Sequence, residues 1–195
     1  MKKLLTLSTT LLLLAFSGNL RAQKIKVTDG NLDAIKSETS LNIEYTYDSM
    51  KVGKYDHEAD YVAKKTEDYN KKEAGKGDTW AKSWVEDRKY RFEPKFEELF
   101  TEYSEKAKDK KAKYTLIFKT IFTEPGYNVG VMRKNAKINA IALIVETANR
   151  DNVLAKLTVD DALGRTFGGY DFDTGERIAE AYADAGKALG KYLKK

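Results

Sequence analysis

The clearest alternation of apolar and polar positions spans residues 41–48. There Leu41, Ile43, Tyr45 and Tyr47 interleave with Asn42, Glu44, Thr46 and Asp48, and a period of two predicts a half-buried strand. Just before it, Ile25 and Val27 alternate with lysines and run into Asp29-Gly30-Asn31, which predicts a short edge strand or an irregular arm ending in a turn. The period then changes. Ala59, Val62 and Tyr69 fall on one side of a charged segment, residues 57–74, as expected of an amphipathic helix. Gly75-Lys76-Gly77-Asp78 breaks it, with Asp78 placed to cap the next helix through its carboxylate. Trp80 and Trp84 follow one helical turn apart. Pro94 predicts the first turn of a new helix, whose stripe is Phe96, Leu99, Phe100 and Tyr103.

The second half reads as sheet. Tyr114 to Thr123 is aromatic and β-branched on both faces, the composition of a central strand. Glu124-Pro125-Gly126-Tyr127 is a turn, and Val129 and Val131 begin a second strand. Lys137 to Thr147 forms a third, with an apolar run suited to cover on both faces. Asn149-Arg150-Asp151-Asn152 turns the chain into a fourth, Val153 to Val159. Short turns between consecutive strands predict an antiparallel meander. After a Gly-rich loop, residues 161–175, comes a closing helix from Gly175 to Leu193, capped by Asp173 or Thr174. Its stripe is Ile178, Tyr182, Ala185, Leu189 and Tyr192, and its small residues Ala181, Ala185, Gly186 and Gly190 predict close packing on the sheet. The expected fold is α+β, a mixed α/β layer: a largely antiparallel sheet of about 4–5 strands, helices packed on it, and a C-terminal covering helix.

The first 22 residues change the picture of the chain's destination. Lys2 and Lys3 precede an apolar run from Leu4 to Phe16, and Ala22 stands before Gln23. This is the pattern of a cleavable export signal, which predicts a periplasmic or extracellular protein made of one globular domain, residues 23–195. The apolar run is shorter than the roughly 20 residues a membrane-spanning helix needs, and no later stretch matches it, so no transmembrane span is expected. Lys2, Lys3 and Arg21 carry three of the five net positive charges, which leaves about +2 for the remainder. With both signs interspersed, no basic face for nucleic acid is expected. The densest basic run, Lys106 to Lys113, reads as a solvated helix end. The chain has no cysteine, which excludes disulfides, thiolate metal sites, thiol catalysis and a lipid anchor through cysteine.

Candidate chemistry is sparse. His57 is the only histidine and precedes a charged helix, where a cap or an exposed position is the plain reading. No G-x-S-x-G elbow occurs. Asp171, Asp173 and Glu176 lie in the Gly-rich loop and offer oxygen ligands for calcium, but their spacing departs from the twelve-residue helix-loop-helix order, and helix capping accounts for the same residues. No cofactor is expected. Aromatic residues are abundant between positions 45 and 84, and Tyr45, Tyr47, Trp80 and Trp84 are the candidate binding surface, since exposed Tyr and Trp form platforms for sugars or partner chains.

Residues 96–193 also carry a family likeness. A helix leads into YTLIFKTIFTEPGY (114–127), a long strand and turn follow in KINAIALIVETANRDNVLAKLTV (137–159), and GERIAEAYADAGKALGKYL (175–193) closes the chain. This order resembles envelope proteins of the curli-secretion lipoprotein (CsgG) and TolB amino-terminal-domain type. The Arg21-Ala22-Gln23 junction resembles those of Bacteroidetes envelope proteins. The resemblance implies a periplasmic or surface domain with a helix covering a sheet, and it supplies no catalytic residues. Asn19 stands where a lipobox cysteine would be, so anchoring and pore formation are not carried over. The expectation is a non-enzymatic envelope protein that binds another protein or self-associates. A small-ligand or glycan binder using the four aromatic residues is the alternative, and a carboxylate-dependent hydrolase the third.

Overall fold

The structure, a computed structural model, describes residues 24–129, 132–164 and 174–194. The predicted export signal, residues 1–22, lies outside them. Strand β1 (Lys24–Gly30) and a single turn, α1 (Asp33–Lys36), lead into β2 (Ser40–Thr46) and the short β3 (Lys51–Val52). Helices follow: α2 (Glu58–Lys72) and, after a break at residues 73–75, an unbroken run of α3 (Lys76–Asp87), a π-helical turn (Arg88–Phe92) and α4 (Glu93–Ser104). The chain then runs through β4 (Ala107–Lys108), β5 (Tyr114–Glu124), β6 (Tyr127–Val129), β7 (Met132–Lys134), β8 (Ala136–Glu146) and β9 (Val153–Gly164) to α5 (Thr174–Leu193).

The main sheet has seven strands in the order β1-β9-β8-β5-β2-β4, with β3 also on β5. The predicted meander is present as β5, β8 and β9, antiparallel neighbours, and β1 adds antiparallel to β9 as the expected edge strand. The expectation of a largely antiparallel sheet of 4–5 strands is corrected on the other side of β5. There β2 and β3 both run parallel to β5, and β4 runs parallel to β2. Alternation marks a strand but not its direction. The parallel pairing follows from the helical crossover between β2 and β5, since parallel strands need a long connection. β3 and β4 hold two residues each, too few to show a period. Val129 does not start a meander strand either: β6 and β7 pair only with each other, in a separate hairpin.

Helices cover one face of the sheet. Phe96 of α4 meets Tyr45 of β2 edge-on at 5.8 Å and Phe118 of β5 at 4.4 Å. Tyr182 of α5 lies 5.9 Å from Phe118 and shares a 2.5 Å hydrogen bond with Thr120. One hydrophobic cluster results, from Ile35 to Leu193, with Leu116, Phe118, Ile138, Ala140, Leu157 and Val159 of the sheet at its centre. The predicted stripe of α5 is buried at Ile178, Tyr182, Ala185 and Leu189, and Tyr192 packs at its margin. The small residues serve two neighbours. A Cβ on Gly186 would lie 2.3 Å from the Phe96 carbonyl oxygen, a close approach to α4. The helix also approaches the sheet closely at Ala181 and Arg177, where a Cβ on Gly164 of β9 would lie 2.0 Å from the Arg177 carbonyl oxygen.

Three local expectations are corrected. Asp78 lies inside the first turn of α3, and Gly75, at φ 80°, occupies the cap position. The two glycines let α3 start earlier than the carboxylate signal suggests. Pro94 sits in the first turn of α4 as expected, yet no break precedes it, because the π-turn carries the helix through. The Lys106–Lys113 run is not a helix end. The chain leaves α4 at Glu105 (φ 58°), and buried Lys106 donates from Nζ to the carbonyls of Ile35 (2.9 Å) and Glu38 (2.6 Å). These bonds tie the α1 turn to the sheet edge and satisfy a charge that burial would otherwise penalise.

Candidate functional site

The four predicted aromatic residues fall into two groups. Tyr45 and Tyr47 of the β2 end point inward. The Tyr45 hydroxyl donates to the Glu93 carbonyl and the Glu97 carboxylate, both at 3.3 Å, and Tyr47 donates to the Glu93 carboxylate at 3.2 Å. Burial, reinforced by these acids, raises both phenol pKa values. Glu93 is itself raised, first by burial and then by the charge of Glu97, with the Tyr47 bond opposing. Glu97 is held by Lys108 at 2.5 Å. This cluster braces β2 against α4 and is not an exposed platform, so the expectation of a four-residue surface is corrected for Tyr45 and Tyr47.

Trp80 and Trp84 belong to an aromatic ladder between α2 and α3. Tyr61 lies 5.0 Å from Trp84 and 5.8 Å from Trp80, the two tryptophans are 5.6 Å apart, and Tyr69 is 5.7 Å from Trp80. Such ring pairs each contribute about 0.5–1.5 kcal/mol beyond area burial. Trp84 is 5% exposed, and its indole N–H donates to Glu58 at 2.5 Å. The same Glu58 oxygen accepts from Arg88, whose guanidinium lies 4.2 Å from the Tyr47 ring centre. Trp84 is therefore a fixed back wall, and half-buried Trp80 presents surface.

That surface faces a cleft of about 690 Å³, within the roughly 300–1,000 Å³ usual for small-ligand sites. Tyr69, Trp80 and Trp84 form its apolar wall, Thr79, Ser83, Asp87 and Arg91 line it from α3 and the π-turn, and Thr174 and Gly175 of α5 complete it, Gly175 packed against Asp87 and Arg91. Two ion pairs frame it: Arg91 with Asp87 at 3.0 Å and Lys76 with Glu73 at 2.9 Å. Their charges cancel, so the cleft offers donors and acceptors without a net field. Sequence reading missed Asp87 and Arg91. The available signal was spacing, since Trp80, Trp84, Asp87 and Arg91 recur at steps of four, three and four, one helical face. The break expected at Pro94 hid it. The π-turn, a feature frequent at functional sites, continues that face past Asp87.

The remaining candidates give less. Asp171 and Asp173 lie outside the described residues, and Glu176 sits in the first turn of α5. Among the described residues no three metal-capable side chains cluster. His57 is exposed, immediately precedes α2, and makes no side-chain cap bond. No described helix is long and apolar enough to cross a membrane.

Fold and cleft together define a two-layer α/β protein with a lateral aromatic pocket. No protein-family profile and no curated protein matches the chain. Two solved structures of PelC dodecamers from Paraburkholderia phytofirmans, one of them a point variant, align at 10% identity. They cover 84% of this chain and 96–97% of theirs, with a TM-score of 0.36, a similarity too slight to bear on what this protein does.

Proposed function

We propose that this is an exported carbohydrate-binding protein whose site is the cleft beside Trp80. The observation that carries the reading is a half-buried tryptophan in a concave wall that is polar but electrically balanced. A pyranose ring has an apolar C–H face and a rim of neutral hydroxyls. The C–H face suits the Trp80 indole, the hydroxyls suit carboxylates and guanidinium arranged as donors and acceptors, and neither benefits from net charge. Trp84, held by Glu58, keeps Trp80 from turning, so little side-chain entropy remains to be lost on binding. The leader-like pattern of residues 1–22 and the resemblance to envelope proteins are what support a periplasmic or extracellular setting for this activity. A hydrolase reading is less favoured, because Asp87 and Glu73, the carboxylates on the cleft, are both engaged in ion pairs.

Intrinsic tryptophan fluorescence, titrated with maltoheptaose, cellohexaose, chitohexaose and polygalacturonate, tests the proposal. A saturable change with a neutral oligosaccharide is expected, and Trp80→Ala should abolish it while leaving the circular dichroism spectrum native. A flat response to the whole panel, or an unchanged affinity in Trp80→Ala, sinks the reading.

A further inference from the structure

The two carboxylates on the cleft stand in different surroundings. The Glu73 side chain is 68% exposed and meets Lys76 in water, whereas the Asp87 side chain is 17% exposed. Asp87 pairs one oxygen with Arg91 Nε at 3.0 Å and turns the other toward the first turn of α5. A Cβ on Gly175 would lie 2.0 Å from that second oxygen and 3.0 Å from Arg91 Nη1, so any side chain at position 175 would displace the pair. The start of a 20-residue helix is its positive end, where a carboxylate is stable. Asp87 is thus a fixed negative charge in the cleft wall, held from two sides, at a depth where water and salt screen little.

We infer that Asp87 sets which glycans the cleft admits, a role that rests on the carbohydrate reading above: uncharged glycans enter, and uronates, which carry carboxylates, are refused. A sugar hydroxyl can donate to the Asp87 carboxylate. A uronate carboxylate cannot, and it brings a second negative charge beside one that has nowhere to move. At a separation of about 7 Å and an effective dielectric of about 20, that repulsion costs more than tenfold in affinity. Glu73 repels less, because the same separation in water costs only about threefold. Arg91 does not offset the effect. A guanidinium grips a carboxylate through two nitrogens on one edge. Here Nε is taken by Asp87 and Nη1 is covered by Gly175, so neither the Nε edge nor the terminal edge is left whole. Equal numbers of charges of each sign therefore do not make the cleft indifferent to charge, since the negative one is the better placed to act.

Tryptophan fluorescence titrations with maltoheptaose, cellohexaose and chitohexaose, each beside its C6-carboxylate form, test this. In the parent protein the neutral member of a pair should bind at least about tenfold more tightly than its uronate. Asp87→Asn keeps the shape and removes the charge, and should bring the ratio of the two affinities close to one. Glu73→Gln removes an equal charge at the exposed position and should move the ratio by about threefold at most. Gly175→Ala displaces the carboxylate without altering any charge. In a protein of native circular dichroism it should shift the ratio in the same direction as Asp87→Asn, which keeps the test open if Asp87→Asn fails to fold. Tight uronate binding by the parent, an unchanged ratio in folded Asp87→Asn, or equal shifts in Asp87→Asn and Glu73→Gln overturn the role of Asp87 and leave the carbohydrate site standing. A flat response of the parent to all six probes overturns both.

Discussion

Two helix pairs in this molecule use the same device to opposite ends. In α4–α5 and in α2–α3 a glycine on one helix lets it approach a carbonyl on the other. A Cβ at Gly186 would meet the Phe96 oxygen at 2.3 Å, and one at Gly77 would meet the Thr66 oxygen at 2.0 Å. The first pair lies flat on the sheet, with Phe96, Phe100, Tyr182 and Leu189 fully buried, and no space is left. The second pair stands beside the sheet and is filled by rings with hydroxyl or indole edges, and a cleft opens where the ladder ends at Tyr69 and Trp80. Close approach of backbones therefore sets the distance between helices, while the residues around the contact decide whether the space is sealed or accessible. Aliphatic and Phe side chains against a sheet close it. Tyr and Trp, large and rigid with polar edges, frame it.

The difference can be broken most severely at the closed pair. A chain ending at residue 174 lacks α5 altogether and loses the cover of β8 and β9. Because that cover is comparable to the whole stability of a domain, about 5–15 kcal/mol, no cooperative thermal transition should remain. A native circular dichroism spectrum from such a chain would show that α5 is an appendage. Within α5, Leu189 is fully buried, and Leu189→Ala should cost about 2–5 kcal/mol in urea denaturation. The same measurement on that variant should leave the Trp80 fluorescence response to ligand intact below the midpoint.

Equal substitutions in the two pairs sharpen the contrast. Gly→Ala inside a helix gains up to about 1 kcal/mol of helix propensity, and here it also forces a methyl onto a carbonyl. At Gly186 both helices are fixed by the sheet and cannot separate, so overpacking should win, with a net loss of roughly 1–3 kcal/mol. At Gly77 the contact lies near the start of α3 at the edge of the fold, where Gly77 N–H donates to Asn70 at 2.7 Å. There α3 can slide, so the net loss should be smaller. The larger effect should appear in the cleft, as a shifted Trp80 emission. If Gly77→Ala proves the more destabilising in paired denaturation curves, the α2–α3 corner is as rigid as the core.

The closed pair was legible in the sequence and the open one only half so. Phe96 and Phe100, or Ile178, Tyr182 and Leu189, repeat at helical spacing because one face meets an apolar layer, and that spacing survives without coordinates. The same holds for β5, β8 and β9, joined by turns whose chemistry is local. Gly126, at φ 67°, is the plainest of these. What did not show was anything set by long-range geometry: the parallel docking of β2 on β5, the inward turn of Tyr45 and Tyr47 toward Glu93, and the carbonyls that hold Lys106. A tyrosine on the apolar side of an alternating strand looks the same whether its hydroxyl reaches water or a carboxylate from a helix some fifty positions later. Trp80 and Trp84 were visible as a pair, but Asp87 and Arg91 became part of the site only because a π-turn continues their helix past an expected break.

The smallest effect is one of pH, and its sign should differ between the two pairs. Glu93, at the start of α4, has a carboxyl raised above its ordinary value of 4.5 by burial. Its protonated form is thus favoured by folding. That contribution is complete below pH 4.5 and is lost as pH rises through the raised folded value. On α2, Glu67 and Asp68 are held below their ordinary values, chiefly by hydrogen bonds from Lys71 and Lys64. Their contribution is present above the ordinary values of 4.5 and 3.8 and is lost as pH falls through the lowered ones. Those acids are exposed, so salt should flatten their part of the profile and leave that of Glu93 largely unchanged. Glu93→Gln keeps an acceptor for the Tyr47 hydroxyl and removes the titration. The melting temperature of Glu93→Gln relative to the parent should therefore rise between pH 4.5 and neutrality and then level off, at low and at high salt alike. A difference that stays constant across this range would mean that the Tyr47 bond and solvent leave Glu93 no less willing to ionise than in the unfolded chain. The two helix pairs would then share one electrostatic environment despite their different packing.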